Sequence, residues 1–186
     1  MAVASGLMTV AEFMNLPEPA GGLRQELHYG ELFEMPPVKA IHTKLQDSLV
    51  ELFSRLLGRL YKVSKEFPFR PLAEHEVWVA DVAVVDRAQW EATSNDDYFT
   101  GVPAMVIEVL SPSNTASEML DRERMCLSNG GREFWVLDPR RQTIKVTTAD
   151  GHTRSYGLTE EIPVEAVSTG NSLAVAHIFA IESQLS

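Results

Sequence analysis

Two carboxylates sit where a folded chain rarely keeps one. Asp81 falls inside the run Val77-Trp78-Val79-Ala80-Asp81-Val82-Ala83-Val84-Val85, and Glu108 inside Ala104-Met105-Val106-Ile107-Glu108-Val109-Leu110. Both runs have the β-branched, apolar character of buried strands. An ionised carboxylate in such a place is costly unless a cation or hydrogen bonds compensate it. The plain explanation for either residue alone is a strand-end carboxylate reaching water, or one paired with a buried arginine. Two of them on strands expected to be neighbours favour a divalent-metal site, because hard cations prefer oxygen ligands. An ion held there would polarise a phosphate and lower the pKa of bound water, which is the chemistry of phosphoester hydrolysis.

Other polar side chains could join them. His42 lies three residues before Leu45, on the inward face at the start of a helix. It could be a metal ligand, a phosphate donor or an ordinary helix-start residue. Glu133 precedes Phe134-Trp135 and is expected to bind a neighbouring arginine. Ser111 and Ser113 have no nucleophile-elbow pattern around them and read as helix caps. Trp78, Trp90 and Trp135 read as core or loop anchors rather than base-stacking platforms.

The surrounding elements must position these groups. Thr9 to Leu16 reads as a short helix capped by Thr9, and Gln25 to Met35 as two strands around a Tyr29-Gly30 turn. The clearest helix spans His42 to Leu60, where Leu45, Leu49, Leu52, Leu56 and Leu60 recur at helical spacing, widened by Phe53 and Leu57. Tyr61 to Phe69 is a strand. Strict alternation along Val77 to Val85 puts Val77, Val79, Asp81, Ala83 and Val85 on one face. Asp86 to Gly101 reads as polar loop. Ala104 to Leu110 is apolar on both faces apart from Glu108, the mark of a central strand covered on both sides. A helix follows the Ser111-Pro112-Ser113-Asn114 turn and stops at Gly130-Gly131. Strands Glu133 to Leu137 and Gln142 to Thr148 and a short helix from Ala174 to Ser183 complete the chain. The class is α/β or α+β, with a mixed central sheet flanked by helices in a single domain over residues 1–186.

Bulk properties exclude several classes. No apolar run approaches the ~18 residues of a membrane span. Met1 to Met14 lacks a basic region and carries Glu12, so it does not read as a secretory signal. Cys126 is the only cysteine, which excludes an internal disulfide and disfavours a cysteine zinc site. A cytoplasmic location is the expectation. The net charge of −10 counts against a sequence-independent nucleic-acid binder. It is compatible with a metal enzyme, because carboxylates that hold a cation have their local sign reversed by it.

The order of these motifs resembles a known family. A Gly-Glu hairpin, a helix opened by His42, a strand carrying Asp81, the stretch Glu108-Val109-Leu110-Ser111-Pro112-Ser113, a helix, and then Glu133-Phe134-Trp135 with Asp138-Pro139 is similar to the Uma-type restriction-endonuclease family of the PD-(D/E)XK superfamily. The resemblance runs from Thr9 to about Ala180. It implies a restriction-endonuclease-like core and a DNA endonuclease dependent on Mg²⁺ or Mn²⁺. Asp81 and Glu108 would be the metal ligands, and the usual proline before the aspartate is Ala80 here. The superfamily lysine two positions after the glutamate is replaced by Leu110. The resemblance transfers its role to the following helix, at Arg122. There Arg122 would lean over the sheet towards Glu108, or else form an internal pair with Asp121 or Glu123. Glu31 matches a glutamate typical of the family, and Glu26 on the partner strand is an alternative. The implied catalytic set is therefore Asp81, Glu108, Arg122, Glu31 and His42. DNA is the implied substrate, and a homodimer is expected because two symmetric sites cut two strands most simply. The alternative function is a non-catalytic descendant of the fold, acting as a binding or assembly module.

Overall fold

A computed structural model describes residues 6–112 and 114–180. Ser113 and residues 181–183 of the expected last helix lie outside the described residues. In chain order the elements are helix α1 (Val10–Met14), hairpin strands β1 (Arg24–His28) and β2 (Glu31–Met35), and the long helix α2 (Ala40–Leu57). Next come β3 (Tyr61–Arg70), β4 (Trp78–Asp86), α3 (Arg87–Ala92), β5 (Phe99–Thr100) and β6 (Met105–Val109). The remainder holds α4 (Ala116–Ser128), β7 (Glu133–Asp138), β8 (Thr143–Thr148), β9 (Thr153–Tyr156), β10 (Glu161–Pro163), β11 (Ser172–Ala174) and α5 (Val175–Phe179).

The central sheet is mixed and seven-stranded, in the order β5-β3-β4-β6-β7-β8-β9. Its two middle strands, β6 and β7, are parallel and are joined through α4 as a crossover. Every residue of β6 is buried, as its two-sided apolar sequence predicts. Leu45, Leu49, Phe53 and Leu57 of α2 cover one sheet face together with Val82, Val84, Met105 and Ile107. The stripe ends at Leu57 because the chain turns at Gly58, whose φ is +58°, and this leaves Leu60 exposed. The other face is covered by Met125 and Cys126 of α4, packed on Val106, Phe134 and Val136. Thr115, not Ser111, caps α4: its hydroxyl accepts the Glu118 N–H while Glu118 accepts the Thr115 N–H. Ser111 instead donates through its backbone N–H to Asn114 Oδ1 within the preceding turn. The polar stretch expected as loop after Asp86 contains α3 and β5.

The expected alternation of β4 fails at Asp81. Val82 and Val84 pack on the α2 side, while Ala83 and Val85 pack on the α4 side. Before Asp81 the parity is reversed, since Trp78 and Ala80 join the α4 side. The neighbouring strand switches at the same level, with Val63 on the α2 side and Phe67 and Phe69 on the α4 side. Register is unchanged across the switch, Lys65↔Val82 before it and Phe67↔Ala80 after it, and the Glu66–Asp81 step is skipped. The cause is Glu66, whose φ of +48° turns the strand over for one residue.

The β1–β2 hairpin is pinned to the end of β4. Tyr29 and Gly30 take φ of +52° and +73°, the two positive values that a tight hairpin turn needs. Leu27 and Val77 exchange both backbone hydrogen bonds, at 2.8 and 2.9 Å. That junction carries Arg24 and Glu26 to the place where β4 changes face.

Candidate active site

The site opens where the sheet comes apart. The β4–β6 ladder runs from Val84↔Met105 to Val82↔Ile107 and stops. One further step would set Asp81 opposite Glu108. Instead Asp81 Oδ2 accepts the Val109 N–H at 2.8 Å. Both carboxylates line one pocket of about 330 Å³, with Arg24, His42, Leu110 and Arg122 among its walls. That volume is at the small end of ligand pockets, roughly 300–1,000 Å³.

Asp81 is 3% exposed and is held on four sides. His42 Nε2 lies 2.9 Å from its Oδ2, a close contact off the line of a well-aligned hydrogen bond. Gln46 donates to Oδ1 at 3.4 Å, and Arg24 Nη1 stands 3.6 Å from the same oxygen. Burial pushes the Asp81 carboxyl up, but His42, the Val109 N–H and Arg24 outweigh it and hold the group below its ordinary range. Arg24 and Gln46 also engage Glu66. Ligand atoms of His42, Glu66 and Asp81 lie within 4.8 Å of one another, close enough to share a cation.

Glu108 has a different environment. Its Oε1 accepts from Arg122 Nη1 at 3.2 Å, and its Oε2 takes no hydrogen bond from the described residues. Arg122 also bonds Glu26 through Nη2, reaches the Val79 carbonyl at 3.4 Å, and stacks 5.1 Å from the Trp78 ring centroid. Burial pushes Glu108 well above the usual carboxylate range, and the charges of Asp81 and Glu26 add to the rise against Arg122. Glu26 goes the other way. Burial raises it, but Arg122 and His28, whose Nε2 is 2.6 Å away, bring it down to about 2. Arg122 serves both acids, and the split follows its closer hold on Glu26.

Four of the residues singled out in the sequence, Asp81, Glu108, Arg122 and His42, come together in this pocket. Glu31 does not. It is exposed at the start of β2, opposite His28, and its hairpin neighbour Glu26 is the carboxylate that meets Arg122. Arg122 pairs with neither Asp121 nor Glu123, since Glu123 takes Lys145 at 2.6 Å and Thr147 at 2.9 Å. Glu133 accepts from the Trp135 indole at 2.7 Å rather than from an arginine. Arg24, Gln46 and Glu66 had no local signal in the sequence, because only the hairpin junction and the β3 face switch bring them in.

The raised Glu108 carboxyl gives a stability prediction. A group whose folded pKa exceeds its ordinary 4.5 binds its proton more tightly when folded. It therefore destabilises the fold progressively as pH rises from the ordinary value through the folded one. Glu108→Gln keeps the shape of the protonated form. It is expected to raise the melting midpoint at pH 8 in metal-free buffer by at least about 2 °C, the shift that about 1 kcal/mol produces at this size. Calorimetry in EDTA checks this, and an unchanged or lower midpoint contradicts it.

The geometry can be placed among known proteins. The crystal structure of a putative nuclease belonging to DUF820 from Anabaena variabilis ATCC 29413 has the same fold, with a TM-score of 0.79 at 21% identity. The match covers 94% of this chain and 98% of that one, so the two share one architecture over nearly their whole length. The family model described as Uma2, putative restriction endonuclease, matches residues 10–176, and the chain belongs to that family. No curated protein matches the sequence significantly. Among the described residues, no helix is long and apolar enough to cross a membrane.

Proposed function

We propose that the protein is a divalent-metal-dependent endonuclease that hydrolyses DNA phosphodiester bonds, with Mg²⁺ or Mn²⁺ held by Asp81 and Glu108. The observation that carries this reading is the pair itself: two buried carboxylates facing one pocket at the end of a shared ladder, one of them with an oxygen that takes no hydrogen bond from the described residues. The donor set fits the ion. Both residues would offer hard carboxylate oxygens, the ligand type such cations prefer, into the same pocket. When bound, such an ion polarises the phosphoryl oxygen and lowers the pKa of its water.

The chain's own residues do the rest. Val109 N–H and His42 fix the Asp81 carboxylate in one orientation, so that its position does not depend on the ion. Arg122 pairs with both Glu108 and Glu26 and supplies fixed positive charge in the pocket wall. Leu110 adds an apolar wall to the pocket. The competing reading, a binding module descended from a nuclease, draws on Arg122, whose guanidinium partly neutralises Glu108 without any metal.

Isothermal calorimetry separates the two. The nuclease reading expects Mn²⁺ to bind weakly to the wild-type protein and at least tenfold more weakly to Asp81→Ala. Identical heats for the two proteins at saturating Mn²⁺ would remove Asp81 from the site and favour the binding module.

A further inference from the structure

A site that attacks a phosphate needs a cation facing the substrate, and the two arginines of the pocket are not equivalent. Arg122 is 6% exposed and spends Nη1 on Glu108 and the Val79 carbonyl and Nη2 on Glu26. Its flat face lies against Trp78. Three of its five N–H donors, including both on Nη1, are taken by protein groups. Arg24 is different. Its side chain is 24% exposed and lines the same pocket. Its Nη1 pairs with Glu66 and stands 3.6 Å from Asp81. Its Nε is buried with no hydrogen-bond partner, and Nη2 has none among the described residues. A buried donor left unpaired is uncommon in a folded protein, and in Arg24 it lies on the guanidinium edge that no protein group among the described residues uses.

We propose that Arg24 is a substrate-binding catalytic residue, whose free guanidinium edge holds the non-bridging oxygens of the phosphodiester next to Asp81. This rests on the nuclease reading of the pocket. The chemistry is that of an oxyanion met by a planar fork of donors, which holds two oxygens at once. Without substrate, Glu66 and Asp81 balance the arginine's charge. With substrate, the phosphate takes the donors that no protein group uses. The hairpin junction at Leu27 and Val77 anchors β1, so Arg24 approaches from an element separate from the sheet that carries the carboxylates. Arg24 supplies the charge facing the substrate, and Arg122 the charge beneath the ligands.

The test compares wild type, Arg24→Gln and Arg24→Lys in three measurements: Mn²⁺ affinity by calorimetry, affinity for the dinucleotide pdTpdT in Ca²⁺, and kcat/KM for duplex cleavage in Mn²⁺. The glutamine can still donate to Glu66, and melting curves set a temperature at which all three are folded. Mn²⁺ affinity is expected not to fall in Arg24→Gln, because removing a cation 3.6 Å from Asp81 leaves that ligand no less negative. Dinucleotide affinity falls at least tenfold in Arg24→Gln, and kcat/KM falls about 10²-fold, the usual loss on removing one preorganised donor. Arg24→Lys recovers part of both. If Arg24→Gln binds and cleaves like wild type, or if the wild type binds no pdTpdT, the proposal is overturned. It is also overturned if Mn²⁺ affinity falls in step with dinucleotide affinity, because Arg24 then only supports Asp81. A wild type that cleaves no DNA yet binds pdTpdT through Arg24 would keep the phosphate site and reject the nuclease.

Discussion

Asp81→Asn is expected to lower the rate of DNA cleavage about 10³-fold or more while leaving the protein folded. The substitution keeps the shape of the side chain, and its amide oxygen can still accept the Val109 N–H. It removes the negative charge that a divalent ion needs. Metal-assisted charge stabilisation is worth several kcal/mol, and each ~1.36 kcal/mol off the barrier is tenfold in rate, which sets the size of the loss. Single-turnover cleavage of a labelled duplex in saturating Mn²⁺ measures it. A variant within tenfold of wild type, folded by circular dichroism, would mean that the chemistry lies elsewhere.

Arg122→Ala is expected to destabilise the fold by about 3–5 kcal/mol, the range for removing one partner of a buried ion pair. Among the described residues the guanidinium is the only ion-pair partner of Glu108 and one of two for Glu26. Deleting it leaves two buried acids, one of them strongly ionised, without their cation. Because the resemblance gives Arg122 the role of the superfamily lysine, it implies that a lysine here would cost little stability and preserve cleavage. The structure changes that expectation. The fork spans Glu26, Glu108 and the Val79 carbonyl at once, and a single ammonium cannot reach all three. Arg122→Lys should therefore lose stability too, by less than the alanine variant. Urea unfolding of both variants provides the numbers. A loss below about 1 kcal/mol for Arg122→Ala would show that the Glu26–Glu108 pair does not depend on this arginine.

The pH dependence of the same cluster follows from Glu26. Its folded pKa of about 2 lies below its ordinary 4.5, so it stabilises the fold above the ordinary value and loses that contribution as pH falls towards 2.

How much of this was legible in the sequence follows from what each feature depends on. The α2 stripe and the two-sided β6 strand depend on local periodicity, and both are where the residue types put them. Asp81 and Glu108 stood out because a carboxylate breaks an apolar run. The face switch of β3 and β4 was not legible. Positive φ usually announces itself through glycine, and here a glutamate adopts it under tertiary constraint. The choice between Glu26 and Glu31 was equally hidden, because it rests on which hairpin strand meets Val77. The α4 cap could have been read, since Thr115 and Glu118 have the capping-box spacing, but the serines upstream drew the helix start too early. Strands β9 to β11 are short and polar, and pairing rather than composition defines them.

The most direct test of the account is the fate of supercoiled plasmid DNA incubated with the wild-type protein in Mn²⁺, in Mg²⁺ and in EDTA. Cleavage at the Asp81–Glu108 pocket predicts nicked and then linear plasmid with the metals, none in EDTA, and none above background with Asp81→Asn. Plasmid that stays supercoiled with both metals, or that is cut equally in EDTA, would contradict it.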